Sequence, residues 1–495
     1  MRRLIILTLA LFLLTPPTLA FAHAVGQSQD LPLPFWLYLF GAGAVVVISF
    51  VQIGLFVGES HTLYRYPRFN LLTIGTLRKV LTSRPLLLGL RLLSVGLFLL
   101  VTLSGLLGEQ VMDENFAPIF VWIIWWVGFS YFTAFVGNIW PLVNPWKFLF
   151  EWADRFARWA GLEGGIELNE SYPASWGVWP ALVLYAGFIW AETVFKGIAI
   201  PANVALVLYL YSVLTWIGML LFGKETWLQR GDAFSVFFSI LAKFAPTEVR
   251  VSDPERCKEC SAPCRSAQGE CVNCYECFAR AAPEDRQLNV RPWAVGLSST
   301  EEVSFDRLAF VIFMLASVAY HSLADSSPWI TLFGSTSFSK TVGLIGVPLL
   351  FLAVYLGVIK LSQIFGMGYV PFRVLASAYV YSLVPIAIVY QVAHYYTYLL
   401  TQGQTIVRLV SDPFGWGWNL FGTAEYKPNA SFIDPNFVWY SELALIIAGH
   451  VIAIYLAHVA ALRLLGNPKL AMRSQYPVLG LMVLYTMFSL WLLSQ

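Results

Sequence analysis

Of 495 residues, 58% are hydrophobic, 16% aromatic and only 12% charged, whereas ordinary soluble domains carry roughly a quarter charged residues. That balance excludes a water-soluble globular chain, which could not hide so much apolar surface, and makes lipid the solvent for most of the molecule. The net charge of +2 comes without any basic tract interleaved with aromatics, so no nucleic-acid partner is expected, while 19 Trp and 23 Tyr suit two interfacial aromatic belts.

Residues 1–22 have the layout of a signal peptide: Arg2 and Arg3, an apolar run from Leu4 to Leu14, and Ala20-Phe21-Ala22 as a small-x-small cleavage site. The alternative is an uncleaved first helix, which Pro16-Pro17 would break. Cleavage after Ala22 makes His23 the amino terminus. Its amino and imidazole nitrogens would then form a metal chelate resembling the histidine brace of certain copper proteins.

Apolar runs of spanning length follow near residues 35–57, 86–107, 117–138, 176–197, 202–223, 307–325, 341–365, 374–399, 438–462 and 476–494. The expected fold is therefore all-α, a polytopic bundle of about ten transmembrane helices. Residues 23–223 hold the first five helices, 224–306 a connecting loop and 307–495 the last five. With the mature N-terminus outside, the inside loops carry 22 Lys and Arg against 4 in the outside loops. The positive-inside rule then predicts a multi-pass protein of the cytoplasmic (inner) membrane, with both mature termini outside and the 224–306 loop cytoplasmic. Gly231 to Pro246 reads as an interfacial helix. No separate soluble domain is expected. The outer loop 401–436, with Asp412-Pro-Phe-Gly-Trp416-Gly-Trp418-Asn419, reads either as a lid or as a loop lying on the membrane surface.

All six cysteines lie in the inside loop, at Cys257, Cys260, Cys264, Cys271, Cys274 and Cys277. Reduced thiols at this spacing, C-x2-C-x3-C-x6-C-x2-C-x2-C, suit one zinc ion or an iron-sulfur cluster, with redox or unliganded thiols as the remaining reading. Cys271, Cys274 and Cys277 resemble the C-x2-C-x2-C half of a bacterial ferredoxin motif, but Ala281 and Ala282 precede Pro283 where its fourth cysteine would stand.

The six histidines are His23, His61, His321, His394, His450 and His458. The topology puts His23, His321 and His394 at one level near the outer face, with His450 deeper. His321 and Asp325 are four residues apart on one helix face, as a chelating pair or as a ligand and its supporting partner. Glu192 and Glu442 lie near the outer ends of the fourth and ninth helices, and ionisable groups at such depth are functional candidates by default. The outer metal set is thus His23, His321, Asp325, His394, His450, Glu192 and Glu442, around zinc or copper, with His321, Asp325 and His394 as the catalytic candidates.

The stretch His23-Ala-Val-Gly-Gln-Ser-Gln-Asp30-Leu-Pro-Leu-Pro34-Phe-Trp, the helix opening Leu37-Tyr-Leu-Phe-Gly-Ala, the motif Gly137-Asn-Ile-Trp-Pro141-Leu-Val-Asn-Pro145-Trp and the patterns around His321, His394 and Asp412-Pro-Phe-Gly resemble bacterial membrane proteins named as fenitrothion hydrolases. The resemblance spans most of the chain and implies hydrolysis of organophosphorus triesters, a small-molecule substrate. That chemistry calls for a metal-activated water. No Gly-x-Ser-x-Gly, His-Glu-x-x-His or Walker motif accompanies it. Two other classes stay open: a membrane redox protein with a haem, copper or quinone site and a redox partner, and a transporter of metal ions or small organic anions.

Overall fold

The computed structural model describes residues 33–57, 66–258, 264, 269–298, 302–431 and 433–495. The signal-peptide reading, His23, His61 and Cys260 fall outside these residues. Among the described residues ten helices are long and apolar enough to cross a membrane, so the chain is a multi-pass all-α bundle: α1 Phe35–Phe56, α2 Arg84–Leu107, α3 Phe116–Phe135, α4 Ala174–Thr193, α5 Pro201–Phe222, α6 Phe305–Asp325, α7 Ser337–Phe365, α8 Phe372–Ser411, α9 Pro435–Leu465 and α10 Tyr476–Leu493. Lipid cannot bond to backbone amides, so each span satisfies its own as a helix.

The bundle is built around α6 and α8. Their apolar windows are 72% and 78% buried, against 50% or less for every other span, so these two form the axis and the rest face lipid. Local sequence shapes both α3 and α8. Pro385 has no amide proton to give, and the preceding turn, Tyr381–Leu383, tightens to 3-10 geometry. In α3, Ile119–Phe129 is wound as a π-helix, a geometry found often at functional sites. α8 also lies close along α9: a Cβ at Gly449 would stand 2.2 Å from Val389 Cγ2.

Two features depart from the sequence expectation. The Gly231–Pro246 segment is not an interfacial helix. Its helix, Ala233–Leu241, is wedged into the bundle, with Phe234, Phe237 and Phe238 all buried. Phe234 meets Trp125 of α3 and Phe188 of α4, and Phe237 stacks on Tyr185 of α4. In the run Ala-Phe-Ser-Val-Phe-Phe-Ser-Ile-Leu only Ser235 and Ser239, four apart on one face, are polar, so the rest of the surface is apolar and buried. Asp232 caps it by accepting from Ser235 N at 3.0 Å, and Tyr211 of α5 donates to the same carboxylate.

The second is a four-stranded antiparallel sheet on the bundle face that carries the cysteines. It comprises β1 Phe69–Asn70, β2 Thr247–Val251, β3 Cys271–Val272 and β4 Arg286–Val290, in the order β1-β4-β2-β3. It ties the α1–α2 connection to the 224–306 loop. Val249 pairs with Leu288 and Val251 with both Arg286 and Cys271. Under it sits a buried ion cluster. Glu248 accepts from Arg250 Nε at 2.5 Å, Arg291 Nη1 at 2.6 Å and Tyr66 OH at 2.7 Å. A carboxylate with three charge-assisted or hydroxyl donors meets the condition under which a buried ion pair is tolerated.

Candidate functional site

The two axial helices bring two of the predicted histidines together. His321, one turn before the end of α6, and His394, on α8, have ring centres 5.0 Å apart at an interplanar angle of 61°. Both side chains are half-buried. Each ring is held at Nδ1 by a hydroxyl. His321 Nδ1 lies 2.8 Å from Tyr395 OH, and His394 Nδ1 lies 3.2 Å from Ser322 Oγ. The hydroxyls are held in turn. Tyr395 donates to Glu192 Oε1 at 3.0 Å, and Tyr390 donates to Ser322 Oγ at 3.1 Å. Glu192 Oε1 accepts a second hydrogen bond from Trp126 Nε1 at 3.0 Å, on the π-wound part of α3. The result is a polar chain of α3, α4, α6 and α8 residues inside an apolar bundle.

No family model, curated protein or solved structure matches the chain. Its chemistry is therefore read from the residues themselves.

The donor set fits a metal in part. Two imidazoles on one ion, with metal–nitrogen bonds of about 2.0–2.1 Å, place their ring centres roughly 5 Å apart. Nδ1 engagement is also what a ligating histidine needs, because it leaves Nε2 for the ion. Yet among the described residues no group of three or more His, Cys, Asp or Glu is arranged to hold a metal ion.

The carboxylates assigned to the outer set behave differently from expectation. Asp325 does not join His321; its Oδ1 takes Lys340 Nζ at 2.5 Å, and its side chain is 61% exposed. Helical spacing put His321 and Asp325 on one face, but a cation on the neighbouring helix takes the carboxylate. Glu192 reaches the histidines through Tyr395 and is a supporting group. Glu442 is half-buried on α9. His450 stands apart: its Nδ1 lies 2.8 Å from Ile446 O, its ring faces Tyr485 of α10, and its buried Nε2 has no hydrogen-bond partner among the described residues. His458 is a satisfied core histidine, receiving Gln475 Nε2 at Nδ1 and giving Nε2–H to Val57 O.

The connection after α8, expected on the outside, is latched to the α2–α3 connection. Glu109 N donates to Phe414 O at 2.8 Å and Phe116 N to Pro413 O at 3.1 Å, while Asp412 accepts from the amides of Trp416 and Gly417. Phe414, Trp416 and Trp418 pack on one another there.

At the opposite end, the cysteines gather on the β2–β3 edge. Cys257 and Cys271 are almost wholly buried, packed with Cys274, Cys277, Val251 and Ala281, and Cys264 and Phe278 lie against them. Cys274 Sγ is 3.0 Å from Cys277 Sγ and accepts from Cys277 N at 3.4 Å. Hydrogen bonding with Cys264, with burial, pushes the Cys274 thiol above the ordinary thiol range. Cys277 is disulfide-bonded, which departs from the expected set of six thiols. Sequence reasoning missed Tyr395, Trp126 and Ser322. The signal for Tyr395 was its place beside His394 in a His-Tyr-Tyr run, where a buried phenol needs a partner.

Proposed function

We propose that this chain is a metal-dependent hydrolase of organophosphorus triesters, lying in the cytoplasmic membrane with His321 and His394 towards the outer face. The observation that carries the reading is the engagement of both Nδ1 atoms by hydroxyls, which orients two Nε2 atoms as ligands. A bound zinc or copper ion would supply an activated water and polarise the phosphoryl oxygen. His321 and His394 hold the ion. Tyr395 and Glu192 fix the His321 ring, and Trp126 keeps the Glu192 carboxylate turned towards Tyr395. The exposed side of the half-buried pair is where substrate enters.

The purified protein should contain about one equivalent of divalent metal at the outer site and release nitrophenol from a nitrophenyl phosphotriester. His321→Ala and His394→Ala should lose both the metal and the activity at unchanged expression. A variant that loses activity and keeps full metal content would point to a different ligand set. Metal-free wild-type protein of full activity would end the proposal.

The crowded cysteine edge favours a second reading, a membrane redox protein whose cytoplasmic thiols hold zinc or an iron-sulfur centre. Acid-labile sulfide and a visible spectrum bleached by dithionite are its signature. A colourless preparation without sulfide leaves only the zinc form.

A further inference from the structure

Three protons can be placed along the chain from Trp126 to His321, and they decide the state of the proposed ligand. The Trp126 indole nitrogen can only donate, and it donates to Glu192 Oε1 at 3.0 Å. That oxygen is therefore an acceptor. Tyr395 OH, 3.0 Å from the same atom, gives it the single phenolic proton. With that proton committed, the phenolic oxygen can only accept from His321 Nδ1, 2.8 Å away.

We infer that Tyr395, itself held by Glu192, locks His321 in the Nδ1–H tautomer, so that Nε2 permanently presents a lone pair. Both are positioning residues, acting on a ligand through its far nitrogen. The placement holds for an ionised Glu192 and for a neutral one that carries its proton on Oε2; a proton on Oε1 turned to the Tyr395 oxygen would reverse it, and the wild-type tautomer reads out which case holds. The other ring is held differently. Ser322 Oγ receives the Tyr390 proton and still has one proton and a further lone pair of its own. It can give to His394 Nδ1 or accept from it, 3.2 Å away. His394 is thus free to change tautomer when an ion arrives, whereas His321 is fixed beforehand. A pair with one preset ligand and one adaptable ligand takes up a cation with a change of tautomer at one ring at most.

The tautomer itself is independent of the proposed function; only the naming of Nε2 as a ligand atom rests on it. The experiment is 15N-histidine solid-state NMR of the metal-stripped protein, with His321→Gln to assign the signal, followed by cobalt titration. In wild-type protein and in Glu192→Gln, which retains an acceptor oxygen, His321 should give one Nδ1–H tautomer. In Glu192→Leu the phenolic proton loses its acceptor and turns to His321, so the signal should switch to Nε2–H. In Tyr395→Phe it should become a mixture. Cobalt affinity should fall about 10- to 100-fold in Tyr395→Phe and Glu192→Leu, the usual cost of losing such a supporting bond, and stay within about threefold in Glu192→Gln. An Nε2–H signal in wild-type protein, or tautomers unmoved by both disruptive variants, overturns the inference. If no variant, wild type included, binds cobalt, the function proposed above fails while the tautomer result still stands or falls by the NMR. Should Tyr395→Phe not fold, Glu192→Leu decides alone.

Discussion

Lys340 Nζ lies 2.5 Å from Asp325 Oδ1 at the α6–α7 junction, where Tyr320 OH also donates to Lys340 O at 2.7 Å. The pair removes Asp325 from the histidine site. With the carboxylate 61% exposed, water screens the attraction, and such bridges contribute about 0–1 kcal/mol. Asp325→Asn should therefore leave metal content and phosphotriester turnover within about twofold of wild type and shift thermal stability by less than about 1 kcal/mol. Loss of metal in this variant, measured on detergent-purified protein, would return Asp325 to the ligand set.

The α8–α9 contact predicts a steric effect. A methyl at position 449 would meet Val389 Cγ2 at 2.2 Å and Pro385 O at 3.2 Å. Overpacking of a tight interface costs about 1–3 kcal/mol. Gly449→Ala should lower the unfolding midpoint, and adding Val389→Ala should recover most of the loss by making room. Val389 lies on the same helix as His394, five residues before it, so metal affinity should fall and recover in step with stability.

Ten spans were legible because a helix in lipid needs a long apolar run and nothing else: α1 was expected at 35–57 and occupies Phe35–Phe56. α8 shows where that signal stops. Its expected end at 399 is extended to Ser411: Gln402, Gln404 and Arg408 dilute the hydropathy there, while a 3-10 turn, Gln402–Gln404, joins the helix to a last stretch, Thr405–Ser411. The sheet left little to read: β1 and β3 are two residues long, β4, Arg-Gln-Leu-Asn-Val, is mostly polar, and only β2, Thr-Glu-Val-Arg-Val, alternates as a strand does. At the site, chain order and depth were enough to place His321 and His394 at one level. They could not reveal that Lys340 takes Asp325, or that Tyr395 stands between His321 and Glu192, because those depend on which helices are neighbours.

Glu248 predicts a pH dependence outside the membrane. Burial pushes its carboxyl up, but Arg291 and Arg250 outweigh that and hold it below the usual carboxylate range. A depressed folded value means the stabilisation is fully present above the unfolded value of about 4.3 and is lost as pH falls through the folded value. The sheet should therefore loosen in acid, below about pH 4, seen as rising amide exchange in β2 and β4 while the spans stay protected. Glu248→Gln leaves Arg291 buried without a carboxylate, while Arg250 keeps Glu270; breaking a buried pair in this way typically costs about 3–5 kcal/mol. That variant should show the loosened exchange pattern already at neutral pH. Unchanged protection would mean the arginines find other partners.

Asp232 does for the buried helix what no lipid-facing residue could do. It satisfies the Ser235 amide and the Tyr211 hydroxyl at zero exposure. Asp232→Ala removes a cap worth about 0.5–2 kcal/mol and leaves a buried phenol without an acceptor, at about 1–3 kcal/mol more. Asp232→Asn keeps an acceptor oxygen for the amide and should lose less than half as much. Equal losses in the two variants, by thermal unfolding, would show that charge rather than capping holds the helix.

The proposed orientation decides which side of the membrane each site serves. Loops expected inside carry 22 Lys and Arg, those expected outside carry 4, and such bias sets topology because basic loops resist translocation. The cysteine edge and the histidine pair lie towards opposite ends of the bundle, so one assignment fixes both. An alkaline phosphatase reporter, active only after export, should be active when fused after Gln495 and inactive when fused at Gly164, between α3 and α4. The reverse pattern would turn the histidine pair towards the cytoplasm and place the cysteines on the oxidising side, where the disulfide at Cys277 would be the expected state of that edge.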